Sequence, residues 1–115
     1  MLELQAARIC GVAVAGLLLA GTAASTSDVA SNSAARVIVI ENVQFSPQNL
    51  VVKTGERITW VNKDLFPHTA TADGKSFDSR AIAANASWTW VAGKSGSYNY
   101  GCTFHPTMKG TVTVQ

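Results

Sequence analysis

The sequence predicts an all-β protein, a β-sandwich of about seven to eight short strands. Three observations carry that prediction. From Arg36 onward the apolar residues recur with a period of two rather than 3.6. Turn-forming residues interrupt the pattern at short intervals. No stretch beyond Arg36 carries a sustained helical stripe. The elements follow in order. Val37, Ile38, Val39 and Ile40 are apolar on both parities, which reads as a strand buried on both faces or nearly so. Residues 49–53 form a second short apolar run. Thr54-Gly55-Glu56 is a turn leading into the β-rich Arg57-Ile58-Thr59-Trp60-Val61-Asn62. Thr69-Ala70-Thr71 extends a strand after His68, and Asp73-Gly74-Lys75 turns the chain. Residues 79–86 have room for one helical turn and no more.

Ser87-Trp88-Thr89-Trp90-Val91 alternates aromatic with small or β-branched residues, and residues 92–96 form a loop. Ser97-Tyr98-Asn99-Tyr100 puts both tyrosines on one face, and Cys102 continues that parity in a regular strand. Residues 110–114 supply the closing strand. Trp60, Trp88 and Trp90, with Tyr98 and Tyr100, read as sandwich interior, because large aromatics at period two fill such cores. The chain has no internal repeat.

The first residues read differently. Arg8 precedes an apolar run at residues 9–20, followed by Gly21-Thr22-Ala23-Ala24-Ser25. A charged start, a short apolar core and a small-residue cleavage region make a secretory signal. The run falls short of the roughly 20 apolar residues a membrane span requires. Residues 1–24 are therefore expected to be a signal peptide cleaved near Ala24. Residues 25–35, rich in Ser, Ala and Asn, form a solvated leader. Residues 36–115 form the single folded domain. The destination is export, with the bacterial periplasm as the compartment, and no stable membrane insertion after cleavage. The formal net charge of +2 comes from scattered basic residues with no cluster to track a phosphate backbone, so nucleic acid is excluded as a partner.

The functional signal lies near the end. Cys102, His105 and Met108 are spaced Cys-x2-His-x2-Met. A thiol, an imidazole and a thioether are the donors that suit copper best among common metals. With residues 1–24 removed, His68 is the one other histidine, and Cys102 and Met108 are the one cysteine and the one methionine. The set His68, Cys102, His105 and Met108 thus uses every such residue of the mature chain. An exported chain with one thiol must protect it or use it, and ligation does both. Cys102 supplies a thiolate, His68 and His105 neutral imidazoles, and Met108 a weak axial thioether that helps set the potential. Pro106 removes one backbone N–H near the sulfur, and Pro67 stiffens the approach to His68.

These residues resemble the cupredoxins, the small type 1 (blue) copper proteins. The resemblance covers nearly all of residues 36–115. It includes Phe45-Ser46-Pro47, Thr54-Gly55-Glu56, Phe66-Pro67-His68, Phe77-Asp78-Ser79 and the run from Tyr98 to Met108. The short ligand loop is similar to the amicyanin type, with the plastocyanin type next. The resemblance implies an eight-stranded Greek-key sandwich, one copper ion cycling between Cu(I) and Cu(II), and His68, Cys102, His105 and Met108 as its ligands. It implies a monomeric, soluble one-electron carrier between larger redox proteins, for example a c-type cytochrome or a dehydrogenase. His105 is then the electron's exit, within a docking patch of Phe66, Pro67, Phe104 and Pro106. Two residues depart from the pattern. Thr69 stands where the family often has the Asn whose side chain ties the ligand loops together, although its backbone N–H can still reach the thiolate. Phe104 replaces a proline common in the amicyanin loop.

The competing reading from another class is a periplasmic copper-buffering or copper-delivery protein, which would use the same ligands but release the metal to an acceptor. An enzyme is not expected. A multicopper oxidase or copper nitrite reductase needs further histidines for a second copper, and the chain has two histidines in all. A zinc hydrolase built on His68, Cys102 and His105 leaves Met108 without a role and has no general base.

Overall fold

The computed structural model describes Gly16 and residues 35–115. Apart from Gly16 and Ala35, the expected signal peptide and leader lie outside the described residues. Eight strands follow in order: β1 (Ala35–Glu41), β2 (Gln44–Ser46), β3 (Asn49–Val52), β4 (Arg57–Asn62), β5 (Thr71–Ala72), β6 (Ser87–Val91), β7 (Gly96–Cys102) and β8 (His105–Val114). They form two four-stranded sheets, one in the order β2-β1-β4-β6 and the other β3-β8-β7-β5. The expected all-β sandwich is what the chain forms. Pairings β1–β4 and β3–β8 are parallel, and the rest are antiparallel. Each parallel pair joins strands that are not consecutive, so chain closure is set by packing between distant segments.

The expectation that β1 is buried on both faces does not hold. Ile38 and Ile40 are fully buried, but Val37 is 51% exposed. One face of this sheet packs inward. The other carries residues that tolerate water, including a Thr59–Thr89 hydroxyl pair at 2.7 Å. Branched aliphatic residues on both parities satisfied strand propensity on the outer face, not burial. The aromatic reading is met with a gradation. Trp60 and Tyr100 are fully buried, while Trp88, Trp90 and Tyr98 pack partly buried against the same cluster. Trp60 meets Tyr100 edge-on at 5.5 Å and lies 5.3 Å from Phe77, linking the two sheets. Burial pushes the Tyr100 phenol up to about 12.

Two local features were not foreseen. Residues 79–86 form no helical turn. Instead His68 and Ile82 exchange both N–H···O=C bonds, at 3.2 and 2.7 Å, and the segment then closes a non-helical turn in which the Ala86 N–H donates to the Ala83 carbonyl at 3.0 Å. The β1–β2 hairpin turns through Asn42 and Val43, both with positive φ (54° and 58°). A β-branched residue is strained there, so the sequence carries no ordinary turn signal. The Asp64 carboxylate holds the turn by accepting the N–H groups of Asn42 at 2.7 Å and Val43 at 2.9 Å.

Two features of this packing are open to test. A Cβ on Gly110 would lie 2.5 Å from the Tyr100 ring, which is locked in the core across from it on β7. Gly110→Ala should lower stability by about 1–3 kcal/mol, read from urea denaturation. Asp64 and Asp78 are the second case. Burial alone would raise Asp64, but the Val43 N–H, the His68 ring and the Asn42 N–H outweigh it and lower the carboxyl below its ordinary value of 3.8. Asp78 is lowered by the Arg80 N–H and, against an opposing burial effect, by Thr71 and the nearby cations. The stability these carboxylates confer on the metal-free chain is complete above the ordinary range and is lost as pH falls through their lowered values. Acid titration followed by tryptophan fluorescence should show that loss below about pH 4. Asp64→Asn should cost about 1–2 kcal/mol at neutral pH.

Candidate metal centre

The centre lies at one end of the sandwich, where β7 runs into β8. Thr103 and Phe104 form a two-residue turn, and Cys102 pairs with His105 across it. The next pair is Gly101 with Lys109, so Pro106, Thr107 and Met108 have no partner on β7. This break lets His105 and Met108 leave regular alternation. A Cβ on Gly101 would lie 2.9 Å from the Met108 carbonyl, so only glycine allows that close return. Met108 is 1% exposed and packs into the hydrophobic core.

His68 comes from a different part of the chain, 34 residues before Cys102, on the loop between β4 and β5. Asn62, fully buried at the end of β4, shapes that loop. Its side-chain amide donates to the carbonyls of Phe66 and Ile82, each at 2.9 Å, and its Oδ1 accepts the Asp64 N–H at 3.0 Å. Every polar atom of this buried amide is satisfied. The pairing of Thr71 with Gly101 then sets the loop against β7.

The four residues named from the sequence form a possible metal site. His68 Nδ1 lies 3.7 Å from Cys102 Sγ, and His105 Nδ1 lies 3.8 Å from it. The donor atoms of His68, Cys102 and His105 all fall within 4.8 Å of one another. His68 is fully buried, and its Nε2 donates to Asp64 Oδ2 at 2.7 Å. An ionised carboxylate can only accept, so Nε2 carries a proton, and in the neutral ring that a metal binds the Nδ1 lone pair faces the sulfur. This is the arrangement by which metal-binding histidines are oriented. The Thr69 backbone N–H donates to Cys102 Sγ at 3.3 Å, stabilising a thiolate. The thiol is buried at 5% exposure. A cysteine sulfur, two imidazoles and a thioether, with all but His105 buried, fit copper.

Asp64 and Asn62 were not singled out from the sequence. The available signal was an acid four residues before His68 and an Asn closing a strand, both ordinary in loops. The residues expected to make a docking patch are exposed near His105. Phe66 and Phe104 are 43% and 53% exposed, Pro67 and Pro106 are exposed, and Leu65 joins them at 89%. His105 is half-buried among them, its ring 5.7 Å from that of Phe66 and 4.9 Å from that of His68.

Comparison with known proteins agrees with this geometry. A family model described as a cupredoxin-like domain matches residues 11–114. The amicyanin of Paracoccus versutus is 29% identical over 84 residues, a match covering 69% of this chain and 64% of that protein, just under two thirds of it. The chloroplastic plastocyanin of Tetradesmus obliquus is 33% identical over 125 residues, covering 96% of this chain and 81% of the relative. Among solved structures, a Cu(I) form of an amicyanin variant superposes with a TM-score of 0.66 at 28% identity, over 70% of this chain and 82% of its own. With its two-sheet architecture and a match that spans most of its length, the chain belongs to the cupredoxin family.

Proposed function

We propose that this chain is an exported one-electron carrier that holds a single copper ion through His68, Cys102, His105 and Met108 and works in the periplasm between larger redox proteins. The observation that carries the reading is the preformed set of two imidazole nitrogens beside the buried Cys102 Sγ, with His68 oriented by Asp64. Bound copper would supply the Cu(II)/Cu(I) couple. The chain's own residues do the rest. His68 is fixed by its carboxylate, and Cys102 by Thr69, so little rearrangement accompanies a change of charge. Met108 brings a soft, buried thioether to the same end of the fold. His105 reaches the surface within the apolar rim of Leu65, Phe66, Pro67, Phe104 and Pro106, where a partner can approach closely and exclude water. These features favour a carrier over copper delivery. A delivery site must open to surrender its ion, and this one is pinned from several sides. They also favour a carrier over an enzyme, since all the chain's histidines are used in one site.

Copper loading should give an intense absorption in the red and an EPR spectrum with narrow copper hyperfine splitting. Cys102→Ser should abolish both. The metal should stay bound through repeated reduction and oxidation; loss of copper to a chelator on each reduction would favour delivery instead. Phe104→Asp should slow electron transfer with the native redox partner about tenfold while leaving the spectrum unchanged.

A further inference from the structure

Thr69 is the residue on which both halves of the centre meet. Its N–H reaches Cys102 Sγ, and its Oγ1 accepts the N–H of Thr103 at 2.9 Å, immediately after the cysteine. The Thr103 hydroxyl lies 3.3 Å from the same oxygen. The tie between the ligand loops that an Asn side chain would make is made here by a hydroxyl. A threonine hydroxyl is a poorer tie than an amide, because it rotates freely and carries one proton. Something must fix its direction.

The neighbouring groups supply that. The Thr71 hydroxyl faces two acceptors, Thr69 Oγ1 at 3.0 Å and Asp78 Oδ1 at 3.1 Å, and shares its one proton between them. Thr69 and Thr71 are buried, at 3% and 7% exposure. Asp78 is itself held, accepting the Arg80 N–H at 2.9 Å, with its backbone bridged to that of Thr71. Ser79 between them locks the same segment, its hydroxyl accepting the Ala70 N–H at 2.7 Å and its N–H donating to the Ala70 carbonyl. The charged acceptor holds the Thr71 hydroxyl in one rotamer, and that rotamer keeps its proton directed at Thr69 Oγ1 as well.

We propose that Asp78 is a positioning residue for the Cys102 centre, acting through Thr71 and Thr69 to hold the Thr103 N–H and so the cysteine turn. It touches no donor atom of the site. The segment containing Asp78 was expected from sequence to make a helical turn just beyond it; instead it lies along the His68 strand, and this placement is what brings the carboxylate to Thr71. The proposal uses the copper reading for one of its two readouts only.

The test is a double-variant cycle on the full chain with Asp78→Ala, Thr69→Val and both together. The first readout is residue-resolved amide exchange in the metal-free protein. Thr103 exchange should accelerate about fivefold in Asp78→Ala and about tenfold in Thr69→Val. The double variant should match Thr69→Val, because Asp78 then has nothing left to act through. Additive acceleration, or no effect of Asp78→Ala on Thr103, overturns the proposal. So does an equal acceleration at Ile38 and Ile40, which would mean that Asp78 only stabilises the fold. The second readout is the reduction potential of the copper-loaded protein, which should shift in Asp78→Ala and show the same non-additivity. Additive potential shifts also overturn the proposal. Coupled exchange in a chain that takes up no copper would leave the positioning role standing and sink the carrier reading instead.

Discussion

The pairing of Thr71 with Gly101 sets the spacing of everything at the centre. It joins a two-residue strand to the end of β7 and so brings His68, from the preceding loop, beside Cys102. The Thr69 N–H on the sulfur and the Thr103 N–H on the Thr69 side chain are spaced from that register. A slip of one residue would turn each side chain to the opposite face. Gly101 makes the register possible on its other side too, since no Cβ obstructs the return of β8 at Met108.

Such a short strand has little hydrogen bonding of its own. Its hold comes from both flanks, β7 on one side and the extended segment around Asp78 to Ile82 on the other. Behind it the core is dense with aromatic rings, and Trp60 bridges the sheets. The division of labour is physical. Apolar packing supplies most of the stability, while a few polar groups, the buried Asn62 and Thr69 and the partly buried Asp64 among them, select one arrangement of the loops.

The sequence disclosed the fold class because strand periodicity and turn residues are local properties. It pointed to His68, Cys102 and His105 because such ligands are scarce in residues 36–115, and the fold brings these three together. Other features were hidden for stated reasons. The hairpin at Asn42-Val43 gave no sign because a carboxylate from a distant residue holds a β-branched residue in a conformation it would not choose. The outer face of β1 looked buried because valine serves exposed strands as well as cores. Residues 79–86 looked weakly helical because alanine favours helices, yet pairing with His68 prevailed. Asp64, Asn62 and Thr69 act across gaps of sequence that only folding closes.

Cys102 is the one cysteine among the described residues, and it is sheltered under the His68 loop. Reagents that modify thiols act on the thiolate and need access to it. Before metal arrives, the speed at which such a reagent labels the protein is therefore governed by how often the turn at Thr103 and Phe104 lifts away. A slow, concentration-independent labelling rate would be a clock for that local opening, and the same opening would set how long the metal-free thiol resists oxidation.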